Sequence, residues 1–262
     1  MVEQIARDVG PAGIELAYER FDNRDSGHST HVRDAPPPDL PAVLAGDLSS
    51  ASYTLSDMAA DVIGLLDVLG LDGAHLVGVS LGGQIAQVAA IEHPDRVRSL
   101  TSMSTSTGNM SVGQASPETQ AKVFGGPRAE TREQVIAQRV RIARIAGSPG
   151  FELDEAAVAE RAGLAYDRGH DPIAVARQAV ATVASGDRTA RLRELDLPTL
   201  VIHGAADLMA PPEGGRAVAG AIPGAELVIF EGMGHDVPRA LWPRISTLIA
   251  TLVHRVEPIQ AR

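Results

Sequence analysis

A serine hydroxyl attacks a carbonyl carbon only when a base takes its proton, and a histidine does this well only when an acid holds its other ring nitrogen. Three residues of this chain stand in an order that suits such chemistry. Ser80 lies in Gly78-Val79-Ser80-Leu81-Gly82, Asp207 follows Gly204-Ala205-Ala206, and His235 ends Glu231-Gly232-Met233-Gly234-His235. The glycines beside Ser80 suit a sharp turn in which backbones approach closely and leave no room for side chains. Taken singly, Asp207 reads as a turn aspartate and Gly234-His235 as an ordinary loop. Taken together they read as a triad, with Ser80 as nucleophile, His235 as base and Asp207 as orienting acid. The backbone N–H of Leu81, at the positive end of the helix that follows, reads as a donor to the oxyanion.

The elements that must position these residues follow from hydrophobic periodicity. Residues 74–77 read as a short buried strand, and 83–93 as a helix with Ile85, Ala86, Ala89 and Ala90 on its apolar face. Strand, turn and helix together make a nucleophile elbow. Residues 97–103 form the next strand, and the apolar runs at 198–203 and 225–230 end at the Asp207 and His235 loops. In a parallel sheet the loops at the carboxyl ends of the strands share one edge, where the three side chains can converge. Residues 14–20 alternate as a strand, and 35–41 read as a proline-rich surface loop. Residues 55–69 form a helix with Ser56 as N-cap, Met58, Val62, Leu65, Leu66 and Leu69 on one face, and Gly70 as its stop. From 105 to 192 strand patterns vanish and amphipathic helices are predicted at 117–124, 131–146, 154–167 and 172–185. A closing helix spans 238–253.

Composition narrows the function classes. A 262-residue chain with 44% hydrophobic residues can bury a large core. Its formal net charge of -10, with Lys122 as the only lysine and no basic run, argues against nucleic acid or an anionic membrane as partner. Cysteine is absent, which removes disulfides, thiolate metal sites and cysteine nucleophiles. No apolar run reaches the length of a membrane span, and the first ten residues lack a signal-peptide core, so the expected location is cytoplasmic. His28-x-x-His31 has no third ligand nearby, so no metal is expected there. His203 reads as a packed or hydrogen-bonded histidine, and His93 as a complement to the end of the elbow helix. No phosphate-loop lysine or dinucleotide fingerprint is present.

With the elbow, the order Ser80, Asp207, His235 and the segment Asp22-x-Arg24-x-x-Gly27-x-Ser29, the sequence resembles the α/β-hydrolase fold family. Within it, the likeness is to bacterial ester hydrolases of the aclacinomycin methylesterase kind. The resemblance implies an α/β fold with a mostly parallel sheet flanked by helices. It also implies a core of residues 1–104 and 193–262 and a helical lid inserted at 105–192. It further implies hydrolysis of a small-molecule carboxylic ester with no cofactor and no metal. Serine at the elbow argues against relatives that use a carboxylate nucleophile. Esterase, thioesterase, lactonase and perhydrolase chemistry remain open, because lid and pocket decide among them.

The resemblance breaks at one junction. In the family, the Asp-x-Arg segment is preceded by a second strand, a central strand with a glycine-rich turn, a helix and a further strand. Here Glu19-Arg20 runs straight into Phe21-Asp22, so the N-terminal strands are expected to be incomplete. The absent turn would carry the second oxyanion donor, and losing one such donor costs about 3–4 kcal/mol, or roughly 10²–10³ in rate. Strands left unpaired cost about 1–3 kcal/mol for each buried unsatisfied group, unless a partner copy fills the gap in a homo-oligomer. An alternative reading follows: a catalytically impaired or non-catalytic α/β-hydrolase-like protein lacking a complete oxyanion hole.

Overall fold

The computed structural model describes residues 4–9, 14–18 and 21–257. Two strands, β1 (Gln4–Val9) and β2 (Ile14–Tyr18), pair antiparallel as a separate two-stranded sheet. β2 lies within the strand predicted at 14–20, whereas β1 was not predicted. The loop that follows is stapled by its own motif residues. Ser29 Oγ donates to the Asp22 carbonyl at 2.6 Å, and the Asp22 carboxylate accepts the His28 N–H at 2.9 Å. Gly27 has φ 51°, and its missing Cβ leaves the space that the Asp22 carboxylate fills. Arg24 reaches across to grip both oxygens of Asp61 at 2.5 and 2.7 Å.

A short helix, α1 (Leu40–Leu44), interrupts what the sequence suggests is loop to residue 41. The next helix, α2 (Leu55–Leu69), has the predicted span but not the predicted cap. Its N-cap is Thr54, whose N–H and hydroxyl both donate to Asp57, whereas Ser56 Oγ donates to Glu92 instead. Leu55, Met58, Ala59, Ile63 and Leu66 are its buried residues, and Leu69 is exposed. The buried stripe is rotated from the predicted one, and it packs against the apolar residues of the elbow helix.

The main sheet holds β3 (Ala74–Val79), β4 (Val97–Met103), β5 (Thr199–Gly204) and β6 (Glu226–Phe230), all parallel and in that order. Helices α3 (Leu81–Glu92), α8 (Thr189–Leu192) and α9 (Pro212–Ala221) lie on the connections between these strands. Right-handed crossovers between sequential neighbours put such helices on one face. There Leu100 and Val201 pack with Ile85, Ala89, Leu192 and Val218. The alternate residues Met103, Leu200, Ile202 and Phe230 point to the other face, under α10 (Trp242–Val256), where Ile245 and Leu252 meet them.

β3 is an edge strand among the described residues, not the buried strand expected from the sequence. Its neighbour is β4, and nothing pairs with its other side. Val77 and Val79 share the α10 face but lie beyond that helix, and are 49% and 41% exposed. Burying a valine is worth about 1.5–3 kcal/mol, so each forfeits about half of that.

Between β4 and β5 the described residues form α4 (Pro117–Phe124), α5 (Arg132–Ala146), α6 (Glu155–Arg168) and α7 (Pro172–Ala184), before α8. Ser116, Thr131, Asp154 and Asp171 cap them, each with a side-chain oxygen accepting a first-turn N–H. α7 is welded to the sheet side. Ala181 joins the core of α2 and α3, and Ser185 Oγ, just past its end, accepts the Leu55 N–H at 2.8 Å. No helix among the described residues is long and apolar enough to cross a membrane.

Candidate active site

The β3–α3 junction turns so sharply that Ser80 adopts φ 53° and ψ −118°. A non-glycine residue held there carries strain that the surroundings must impose. They do so by excluding bulk: a Cβ on Gly78 would run into the Gly82 carbonyl, and one on Gly83 would sit 2.9 Å from Thr105 Cγ2. The Ser80 N–H donates to the Met103 carbonyl at 2.9 Å, tying the elbow to the end of β4.

Asp207 and His235 come from the ends of β5 and β6, and the three residues meet at one sheet edge. His235 Nε2 is 3.0 Å from Ser80 Oγ, and His235 Nδ1 is 2.8 Å from Asp207 Oδ2. The Asp207 side chain is fully buried, and its Oδ1 accepts the N–H groups of Met209 and Ala210 at 2.9 Å each. His235 remains 22% exposed, which leaves a way in for a ligand. The Leu81 N–H, in the first turn of α3, has no acceptor among the described residues. Among the described residues no strand lies beyond β3 to supply a second donor beside it.

Around this line of three, buried polar groups hold the frame. His203 is fully buried on β5, with Nε2 2.6 Å from the Ala210 carbonyl and 3.6 Å from Asp207 Oδ2. Burial depresses its pKa and keeps it neutral, so it steadies the acid loop by hydrogen bonding rather than by charge. Beside α3, Arg188 is buried on neutral acceptors: Gln87 Oε1 at 3.3 Å and the Ser106 carbonyl at 3.1 Å. Without a carboxylate in contact, burial pulls its pKa down to about 10. Gln87 in turn donates to Ser102 Oγ at 3.1 Å, pinning the elbow helix to β4.

Among the described residues no group of three or more ligating side chains gathers, at His28 and His31 or elsewhere. His31 instead bridges the Gly27 carbonyl and Asp171. His93 is the C-cap of α3. The contacts that sequence reasoning missed are between segments remote in the chain. Arg177 pairs with Asp25, and Ser148 touches both neighbours of His235. The first had a signal: Arg177 interrupts an apolar stripe containing Ala174, Val180 and Ala181, where a charge needs a buried partner.

The profile of the family described as alpha/beta hydrolase fold matches residues 20–238. The chain belongs to the α/β-hydrolase fold family. Among its relatives in that family, rhodomycin D methylesterase DnrP of Streptomyces peucetius is 29% identical over 253 residues, covering 88% of this chain and 78% of the relative. The 2-hydroxy-6-oxononadienedioate/2-hydroxy-6-oxononatrienedioate hydrolase 1 of Dechloromonas aromatica is 31% identical over 198 residues, covering 75% of this chain and 68% of that one. Among solved α/β-hydrolase structures, a thermophilic esterase from Thermogutta terrifontis superposes with a TM-score of 0.62 at 25% identity. That superposition covers 90% of this chain and 78% of the esterase.

Proposed function

We propose that this protein is a serine hydrolase that cleaves a small carboxylic ester. The observation that carries this reading is the unbroken hydrogen-bonded line Ser80 Oγ–His235 Nε2 and His235 Nδ1–Asp207 Oδ2. Ser80 Oγ attacks the ester carbonyl carbon while His235 takes its proton. The carbonyl oxygen becomes an oxyanion facing the Leu81 N–H. Collapse of this intermediate breaks the bond to the alkoxy group, which leaves as the alcohol with the proton from His235. Water then attacks the acyl-serine, gives its proton to His235, and releases the carboxylic acid with Ser80 restored. Asp207 holds Nδ1–H throughout and stabilises the imidazolium. No step calls for a cofactor. The methylesterase and esterase names of the relatives support an ester, and the helical insertion at 105–192 is the lid that shapes its pocket.

A second reading keeps a specific observation in its favour. The outer edge of β3 carries neither a strand nor a second oxyanion donor among the described residues, which supports a protein of weak or no activity. A fluorophosphonate probe separates the two. Covalent labelling of the wild type and none of Ser80→Ala supports an activated serine. Well-folded wild type that does not label favours the second reading. Turnover of p-nitrophenyl acetate and butyrate by the same pair gives the rate.

A further inference from the structure

His235 sits in a loop at residues 231–236 with no helix or strand of its own. Its ring must nonetheless face two partners at once. What fixes that loop is not the sheet alone but the end of α5 and the turn after it. The His235 N–H donates to the Ala146 carbonyl at 2.8 Å, and the Gly150 N–H to the Gly232 carbonyl at 2.9 Å. Ala146 is the last residue of α5, so its carbonyl has no partner inside the helix. The His235 backbone supplies one.

Between these two bonds lies Ser148, a buried hydroxyl used in both directions. Its Oγ accepts the Gly234 N–H at 2.8 Å and donates to Asp236 Oδ1 at 2.6 Å. One side chain therefore holds the residue before His235 and the residue after it. The fit is close. A Cβ on Gly234 would meet the Gly147 and Ala146 carbonyls, and one on Gly150 would lie 2.7 Å from the Gly232 Cα.

We infer that Ser148 is a positioning residue for His235: it brackets the base from the helical insertion and keeps its ring on the line between Ser80 and Asp207. The role rests on reading His235 as the base. A misplacement of about 1 Å can cost on the order of 10²-fold in rate, so loosening this bracket is felt at the chemistry.

The test compares Ser148→Ala with Ser148→Thr. Alanine removes both hydrogen bonds, whereas threonine keeps the hydroxyl. Ser148 borders a cavity of about 420 Å³ together with Phe151 and Leu208, so a methyl directed there meets open space. Ser148→Ala should lower kcat for p-nitrophenyl butyrate by about 10–100-fold with little change in KM, and Ser148→Thr should recover most of it. In parallel, the low-field proton signal of the His235–Asp207 hydrogen bond should broaden and exchange faster in Ser148→Ala, well below its melting temperature. Asp236→Ala gives a second route should Ser148→Ala not fold, since it removes only the acceptor half of the bracket and should weaken the same signal. A kcat and a low-field signal at wild-type values in the folded variants would overturn the inference, even if their melting points fell. The proton signal needs no turnover, so it decides the bracket even if the wild type proves inactive and the hydrolase reading fails.

Discussion

The guanidinium of Arg177 closes on both carboxylate oxygens of Asp25, at 2.8 and 2.9 Å, with the two side chains 3% and 0% exposed. The pair joins the loop after β2 to α7, across 152 residues of chain. Breaking a buried pair from one side strands a charge in low dielectric and typically costs about 3–5 kcal/mol. Arg177→Leu should lose stability of that order in urea unfolding monitored by circular dichroism. A loss under about 1 kcal/mol would mean that water reaches Asp25 in solution.

The same pair sets a pH dependence. Burial alone would raise the pKa of Asp25, but the hydrogen bonds from Arg177 and the Val32 N–H outweigh it and hold the carboxyl below its ordinary value. A group depressed in this way stabilises the fold above the unfolded-state value of about 3.9, and that contribution is lost as pH falls through the lower folded value. In Arg177→Leu the buried Asp25 has the opposite preference, and its protonation brings relief. The stability gap between wild type and variant should therefore narrow as pH falls from 7 toward about 4. Melting curves across that range check it; a constant gap would place the cost of the variant elsewhere.

Asp207→Asn should reduce ester turnover by up to about 10⁴-fold. The Met209 and Ala210 N–H groups demand an acceptor at Oδ1, so the amide nitrogen must take the place of Oδ2 and face His235. The imidazole then carries its proton on Nε2, where it cannot accept from Ser80. Steady-state rates with p-nitrophenyl butyrate measure the loss. A fall of less than about tenfold would show that another group orients His235.

A strand–turn–helix–strand segment inserted between Arg20 and Phe21 should pair with the outer edge of β3 and cover Val77 and Val79. Calorimetry should show a higher melting temperature, and a restored oxyanion donor should raise the esterase rate by about 10²–10³. Cooperative melting at an unchanged temperature, with an unchanged rate, would mean that this edge is already covered in solution.

Much of the fold was legible because its strong signals are local. β4 and α4 have the predicted ends: one follows a proline-led turn at Pro94, the other opens at Ser116-Pro117 and stops at Gly125. Ser80, Asp207 and His235 could be placed at strand ends because each follows an apolar run with a glycine-rich loop. What could not be read depends on residues far apart. The pairing of Ser148 with Gly234 spans 86 residues, and periodicity carries no information at that range. β1 escaped because Arg7 and Asp8 interrupt its alternation, and pairing with β2 overrides that weak local pattern. The Thr54 cap was missed because Ser56 is an equally good capping type, and the choice fell to Asp57.

Strand order in the main sheet equals chain order, β3 to β6. During synthesis such a sheet can grow from one edge, each new strand docking on the one made before it, with no need to thread a later strand between two earlier ones. Ser80 leaves the ribosome with the first strand of the series, and His235 follows the last. The serine thus remains an ordinary alcohol for most of translation and gains its partner only when β6 is in place. A nascent chain stalled before residue 231 would carry the elbow in a chemically silent form.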